Sequence, residues 1–206
     1  MENLTNQSCA GFAAVLASKA PVPGGGGASA LVGALGAALG SMVCNYTIGK
    51  KKYAAVEEDV KAILAEAEEL REKLLALVEE DAAAFEPLSR AYAIPKDDSG
   101  RDEVMETCLR AAAAPPMELL RLSCRAIELH EALLDKGSVM VLSDVGTGVI
   151  FCWSALYGAA LNVKVNTKLM KDRAYAEEMN AEADGLVNKY GKIAGQVYQA
   201  VMGRYS

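Results

Sequence analysis

No formal charge falls between Lys19 and Lys50, and this run constrains the chain more than any other feature. Residues 21–53 read P-V-P-G-G-G-G-A-S-A-L-V-G-A-L-G-A-A-L-G-S-M-V-C-N-Y-T-I-G-K-K-K-Y. Pro21 and Pro23 favour extended backbone, Gly24, Gly25, Gly26 and Gly27 reach angles closed to other residues, and an Ala- and Leu-rich stretch follows. The pattern predicts a loop from Lys19 to Gly27 feeding a helix from Ala28 to Thr47. Gly33, Gly36 and Gly40 inside that helix each cost about 1 kcal/mol relative to alanine, so a contact open only to bare backbone must offset roughly 3 kcal/mol. Their spacing lays small residues along one face, which calls for close approach by a neighbouring helix or by the same helix of a second subunit.

The rest of the chain reads as helix as well. Ser8 caps a short helix over 8–18 with Phe12, Val15 and Leu16 on its apolar side. Val60, Ile63, Ala67, Leu70, Leu74 and Leu77 alternate spacings of three and four, the signature of a long packed helix over 55–92. Continuing that count puts Asp81 in the seam one turn before Phe85, where a carboxylate is costly without a partner. Pro87 is expected to kink or interrupt the helix, and Pro115-Pro116 to break the next one into 101–114 and 117–134. Between Lys136 and Lys164 the only charge is Asp144, at the mouth of a second Gly- and Ala-rich helix that Ser143 or Asp144 is suited to cap. A last helix spans 172–202. With no run of alternating strands, no long linker and no repeat, the expectation is an all-α, single-domain bundle over 1–206, dimerising through its Gly/Ala-rich helix.

Composition narrows the function. Lys and Arg total 21 against 27 Asp and Glu, a net charge of −6, which disfavours nucleic-acid binding. The five cysteines are scattered with no C-x-x-C pair, as for reduced, buried thiols of an intracellular protein, and His130 is the only histidine. A Ser-His-Asp triad and a multi-histidine metal site are thereby excluded within one chain, and His130 reads as a surface or packing residue. The N-terminus M-E-N-L-T-N-Q-S lacks the pattern of a signal peptide, so a cytoplasmic protein is expected. The two uncharged stretches are long enough to span a bilayer, but they are weakly hydrophobic and no basic-loop pattern flanks them; no membrane insertion is expected.

The segment P-V-P-G-G-G-G-A-S-A-L with M-V-C-N-Y-T-I-G-K-K-K-Y resembles the cyclodeaminase/cyclohydrolase family. That family comprises the C-terminal domain of formimidoyltransferase-cyclodeaminase and stand-alone methenyltetrahydrofolate cyclohydrolases. The resemblance continues through E-D-A-A-A-F at 80–85, Ile94-Pro95-Lys96, L-S-D-V-G at 142–146 and G-A-A-L-N-V-K-V-N at 158–166. One departure is Ser138, where similar proteins often carry Asn. The resemblance implies an all-helical homodimer that binds a reduced folate, possessing no tightly bound cofactor and no metal, and acts on its one-carbon unit.

Hydrolysis of a 5,10-methenyl group needs a carboxylate to stabilise a cationic carbon and direct water, and a proton shuttle to the departing nitrogen. Asp144, Asp81 and Lys50 supply those types as candidate catalytic groups. Asp144 also suits a helix cap, Asp81 a structural ion pair with Arg or Lys, and Lys50, Lys51 and Lys52 a solvated corner. Candidate substrate contacts are the N–H groups of Gly24 to Gly27, then Lys51, Lys52, Tyr53, Ser143, Asn162 and Asn166, the two asparagines being equally suited to capping. Methenyltetrahydrofolate cyclohydrolase is expected ahead of 5-formiminotetrahydrofolate cyclodeaminase because these 206 residues encode no formimino-transferring domain. A non-catalytic folate-binding dimerisation module is the reading of a different class.

Overall fold

The computed structural model describes residues 3–205, and Met1, Glu2 and Ser206, the ends of the expected 1–206 domain, lie outside the described residues. Six α-helices carry the chain: α1 (Cys9–Leu16), α2 (Gly25–Asn45), α3 (Glu57–Ala91), α4 (Arg101–Lys136), α5 (Leu142–Thr167) and α6 (Arg173–Met202). Among the described residues there is no strand, as the all-α reading requires. The seam of α3 is where the periodicity put it, with Val60, Ile63, Ala67, Leu70, Leu74 and Leu77 all buried. Ser8 caps α1 by accepting from the Gly11 N–H at 3.0 Å.

Antiparallel α2 and α5 form the centre. Moving along α2, Gly25 faces Asn162, Gly33 faces Ala155 and Gly36 faces Cys152 and Gly148. By the same kind of pairing, α3 runs antiparallel to α2, with Leu74 at Gly33 and Val78 at Gly27, while α6 runs antiparallel to α5, with Val201 at Gly146 and Trp153 at Gly195. The glycine stripe is thus spent inside one chain, against α5, α3 and α4; it is not a surface for a second subunit. A Cβ on Gly36 would fall 2.5 Å from Cys152 Sγ and 3.0 Å from the Gly148 carbonyl oxygen.

Into the same crevice α4 inserts His130, fully buried between α2 and α5, with Nε2 3.0 Å from the Gly36 carbonyl oxygen. A carbonyl only accepts, so the neutral ring carries its proton on Nε2. Nδ1 has no hydrogen-bond partner among the described residues, and burial pushes the pKa down to about 4. His130 is therefore a packing residue. Cys44, Cys124 and Cys152 are buried thiols pushed up to about 12 by desolvation, whereas Cys9 is exposed.

Three expectations about helix limits are corrected. First, α2 begins at Gly25, so three of the four glycines form its first turn instead of a loop. Second, α3 is not interrupted at Pro87: it continues to Ala91, with Leu88 and Ala91 beyond the proline buried. Third, α4 is one helix of 36 residues that runs through Pro115 and Pro116. Pro116 cannot supply the N–H that would bond the Ala112 carbonyl four residues back. Asn166 of α5 supplies it instead, its Nδ2 donating to that carbonyl at 2.9 Å.

Two stability measurements follow. Gly36→Leu should destabilise by about 3 kcal/mol in urea denaturation, since backbone and a buried thiol oppose the new side chain. Gly185→Ala in α6, where a Cβ meets nothing within 4 Å, should instead be neutral or gain up to about 1 kcal/mol; equal effects at both positions would contradict the packing account. Asn166→Leu should cost about 1–3 kcal/mol by leaving a carbonyl unpaired. The cost should shrink in a Pro116→Ala background, and strict additivity of the two substitutions would contradict the compensation.

Candidate active site

The first turn of α2 leaves backbone N–H groups without partners inside the helix, and Gly24, its N-cap, has no side chain to supply one. Asp81, near the end of α3, does so. Its Oδ2 accepts from the Gly27 N–H at 2.9 Å. The approach requires glycine, because a Cβ on Gly26 would lie 2.6 Å from Asp81 Cγ. The seam carboxylate is thus answered by a helix terminus, not by the Arg or Lys that a structural ion pair would need. Burial raises the Asp81 carboxyl above its ordinary pKa, and the Gly27 N–H opposes that rise.

Asp81 opens into a cavity of about 160 Å³ together with Gly24, Gly25, Gly26, Phe85, Asn162 and Asn166. Asn162 donates from Nδ2 to the Gly158 carbonyl at 2.8 Å, leaving Oδ1 unengaged among the described residues. Asn166 donates to the Ala112 and Asn162 carbonyls, so both asparagines are anchored within the last turns of α5 instead of capping its end. Pro21, Val22 and Phe85 also line a larger groove of about 870 Å³, walled by Leu4 and Val15 on one side and α3 on the other. The segment carrying Leu4 is tied down by Glu79, which accepts from the Thr5 N–H at 2.9 Å. Nothing local in the sequence marks this groove, since its walls come from segments some seventy residues apart.

The remaining candidates sit at the other end of the bundle. Asp144 and Asn162 are eighteen residues apart on α5, five turns and about 27 Å. Asp144 is the third residue of α5 and Ser143 the second, so neither is the cap; that position falls to Val141. Half-buried Asp144 has no hydrogen-bond or ion-pair partner among the described residues.

At the same end of the bundle, Lys50 Nζ donates to Ser138 Oγ at 3.2 Å, and the Tyr53 hydroxyl accepts from the Val139 N–H at 3.0 Å. That N–H holds the Tyr53 pKa below its usual value. Ser138 in turn donates its N–H to Thr47 Oγ1 at 2.8 Å, so the position singled out as a departure is a buried joint of this corner. Lys51 and Lys52 are exposed, with the Lys52 ammonium 5.4 Å from the Tyr53 ring centre. One chain therefore joins the glycine turn, Asp81, Asn162 and Asn166 into one site and keeps Lys50, Lys51, Lys52, Tyr53, Ser143 and Asp144 away from it. Within a protomer Asp81 therefore lies at one end of the antiparallel α2 and α5, and Asp144 and Lys50 at the other. Among the described residues no group of three or more His, Cys, Asp or Glu side chains is placed to hold a metal ion.

The profile of the family described as Formiminotransferase-cyclodeaminase matches residues 8–185. A methenyltetrahydrofolate cyclohydrolase from Methylorubrum extorquens is 42% identical over 200 residues, covering 95% of this chain and 96% of its own. A formimidoyltransferase-cyclodeaminase from Dictyostelium discoideum is 28% identical over 98% of this chain, which spans only 37% of that larger protein. Among solved structures, formiminotetrahydrofolate cyclodeaminase from Thermotoga maritima superposes with a TM-score of 0.89 at 29% identity, over 98% of both chains.

Proposed function

The chain belongs to the formiminotransferase-cyclodeaminase family, and from that premise we propose that it is a one-carbon folate enzyme, a methenyltetrahydrofolate cyclohydrolase that converts 5,10-methenyltetrahydrofolate to the 10-formyl form. The observation that carries this reading is Asp81, a desolvated carboxylate on the α2 N-terminus facing a cavity of ring-system size. A pocket that encloses a drug-sized ligand measures about 300–1,000 Å³. The Asp81 cavity is below that range and the adjoining groove within it, which suits a pterin in the first and the benzoyl-glutamate portion in the second. Phe85 packs on the ring, and the free Oδ1 of Asn162 accepts from it.

The chemistry asks two things of the carboxylate. As an anion it stabilises the cationic one-carbon centre, and because burial raises its pKa it is a better proton acceptor than an exposed aspartate. Water attacks that carbon as Asp81 takes one of its protons, and a C–O bond forms. The same proton then passes to N5 while the C–N5 bond breaks, and water's second proton leaves to solvent. No metal or resident cofactor enters this sequence.

Cyclodeamination of 5-formiminotetrahydrofolate is the second reading. It uses a related tetrahedral carbon, with ammonia leaving in place of N5, and the cyclodeaminase relatives favour it. Domain content does not separate the two, since the Thermotoga maritima chain has the same span and is described as a cyclodeaminase. The cyclohydrolase is preferred because the relative bearing that name is the more similar in sequence. We further propose a cytoplasmic homodimer. The free thiols support the location, and the outer face of α2, which carries no charge, supports the assembly.

Two assays test the reaction: loss of methenyltetrahydrofolate absorbance, and ammonia release from 5-formiminotetrahydrofolate. Hydrolysis should exceed ammonia release, and the reverse order would replace cyclohydrolase with cyclodeaminase. Asp81→Asn should keep the helical fold and lower kcat by about 10²- to 10⁴-fold, the scale of a lost acid-base group. An Asp81→Asn enzyme of undiminished turnover would remove Asp81 from the chemistry.

A further inference from the structure

We propose that Glu79 is a positioning residue for the substrate: by holding the N-terminal segment across the groove beside Asp81, it builds the subsite for the benzoyl-glutamate half of the folate. This rests on the folate reading for the identity of the ligand and goes beyond it in assigning what holds the subsite together and what sets its affinity. The groove of about 870 Å³ meets the Asp81 cavity at Pro21, Val22 and Phe85, which line both. Its floor is one face of α3, where Glu79, Ala82, Glu86 and Ser89 recur at spacings of three and four. Ala82 and its neighbour Ala83, with nothing beyond Cβ, keep that floor low.

The opposite wall is lightly held. In α1 only Phe12 is buried, and the backbone hydrogen bonds of residues 3–22 all stay within that segment. Among the described residues, the only hydrogen bonds that join 3–22 to the rest of the chain are two that Glu79 Oε1 accepts from Thr5, one from its N–H at 2.9 Å and one from its hydroxyl at 3.2 Å. They hold Leu4, the next residue, as part of the wall. Glu86, the other acid on the floor, is answered by Arg90 at 2.7 Å. Arg90 is the one cation lining the groove and stands nine residues beyond Asp81 on α3, about 13 Å along the helix. With the one-carbon unit at Asp81, a benzoyl group and one glutamate cover that span. Both members of the Glu86–Arg90 pair are well exposed, so it has little net strength and a ligand carboxylate can replace Glu86 on the guanidinium.

Glu79 thus acts through the wall and not on the reacting atoms. Without its carboxylate the segment loses its tie to α3, and the groove loses one side. Substrate binding then weakens equally in the ground state and the transition state, which raises KM and spares kcat.

Two half-ligands read the two subsites apart, each as an inhibitor of methenyltetrahydrofolate hydrolysis: 6-methyltetrahydropterin for the Asp81 cavity and p-aminobenzoyl-glutamate for the groove. In Glu79→Ala, KM should rise about tenfold with kcat within about twofold, the scale of one hydrogen bond to a charged group. The inhibition constant of p-aminobenzoyl-glutamate should rise by a like factor while that of the pterin holds. Glu79→Gln, whose amide oxygen still accepts from Thr5, should restore most of the loss. Ala82→Leu fills the floor without touching the Thr5 bonds and should show the same selective weakening. Limited trypsin digestion reads the wall without any assay of activity, since Lys19 is exposed and is the only Lys or Arg before Lys50. Cleavage there should be faster in Glu79→Ala, and p-aminobenzoyl-glutamate should slow it in wild type. The inference is overturned, with the folate reading left standing, if both half-ligands weaken together in Glu79→Ala, if kcat falls and KM does not move, or if p-aminobenzoyl-glutamate neither inhibits an active wild type nor protects Lys19. Wild type that acts on neither folate overturns the folate reading instead, and equal cleavage at Lys19 with and without Glu79 would then remove its hold on the wall as well.

Discussion

One hydrogen bond sets the geometry of the site: Gly27 N–H to the Asp81 carboxylate. A bond of this kind, with an ionised acceptor, contributes roughly 1.5–3 kcal/mol, and here it locks the start of α2 onto the end of α3. It also explains the glycines beside it. Gly26 lets the carboxylate approach the helix, and Gly25 leaves room for Asn162 from α5. Three helices thus converge on one carboxyl group, and the cavity between them exists because small residues hold the backbones close.

The same close packing continues down the bundle. Gly36 and Gly148 admit the His130 ring between α2 and α5, where a side chain on either would collide with it or with the thiol of Cys152. A charged imidazole has no acceptor for a second proton there, so the ring is held neutral and the core stays apolar. Close packing on the inner side leaves α2 with an outer side that carries no charge, and α5 with Asp144 and Lys164 as its only charges. Each is long and apolar enough to cross a membrane, yet about half of each is buried in the bundle.

Much of this was legible in the sequence, for identifiable reasons. The α3 seam obeyed its period because every position of it faces the core. Asp81 and Asp144 stood out as charges in apolar settings, and the glycines as costs needing a contact. What local sequence did not carry was tertiary. Pro115 and Pro116 read as a break, yet α4 continues because packing surrounds it and Asn166, fifty residues on, satisfies the carbonyl that Pro116 leaves free. The glycine run read as a loop because propensity disfavours it in helix, whereas Asp81 stabilises it as a first turn. The distance between Asp81 and Asp144 depends on the antiparallel pairing of α2 and α5, which no motif announces. The motifs of the family resemblance include residues from both ends without saying that one chain holds them apart.

The central claim is that the α2 N-terminus holds Asp81 in a desolvated position where it exchanges protons. Carbon-detected NMR titration of the Asp81 side-chain carboxyl, assigned by comparison with Asp81→Asn, measures that property directly. The account predicts a pKa above that of an ordinary aspartate, since burial outweighs the Gly27 hydrogen bond. A carboxyl that titrates at or below the ordinary value would contradict it, leaving Asp81 as a structural cap for α2 and not the proton-carrying group of the site.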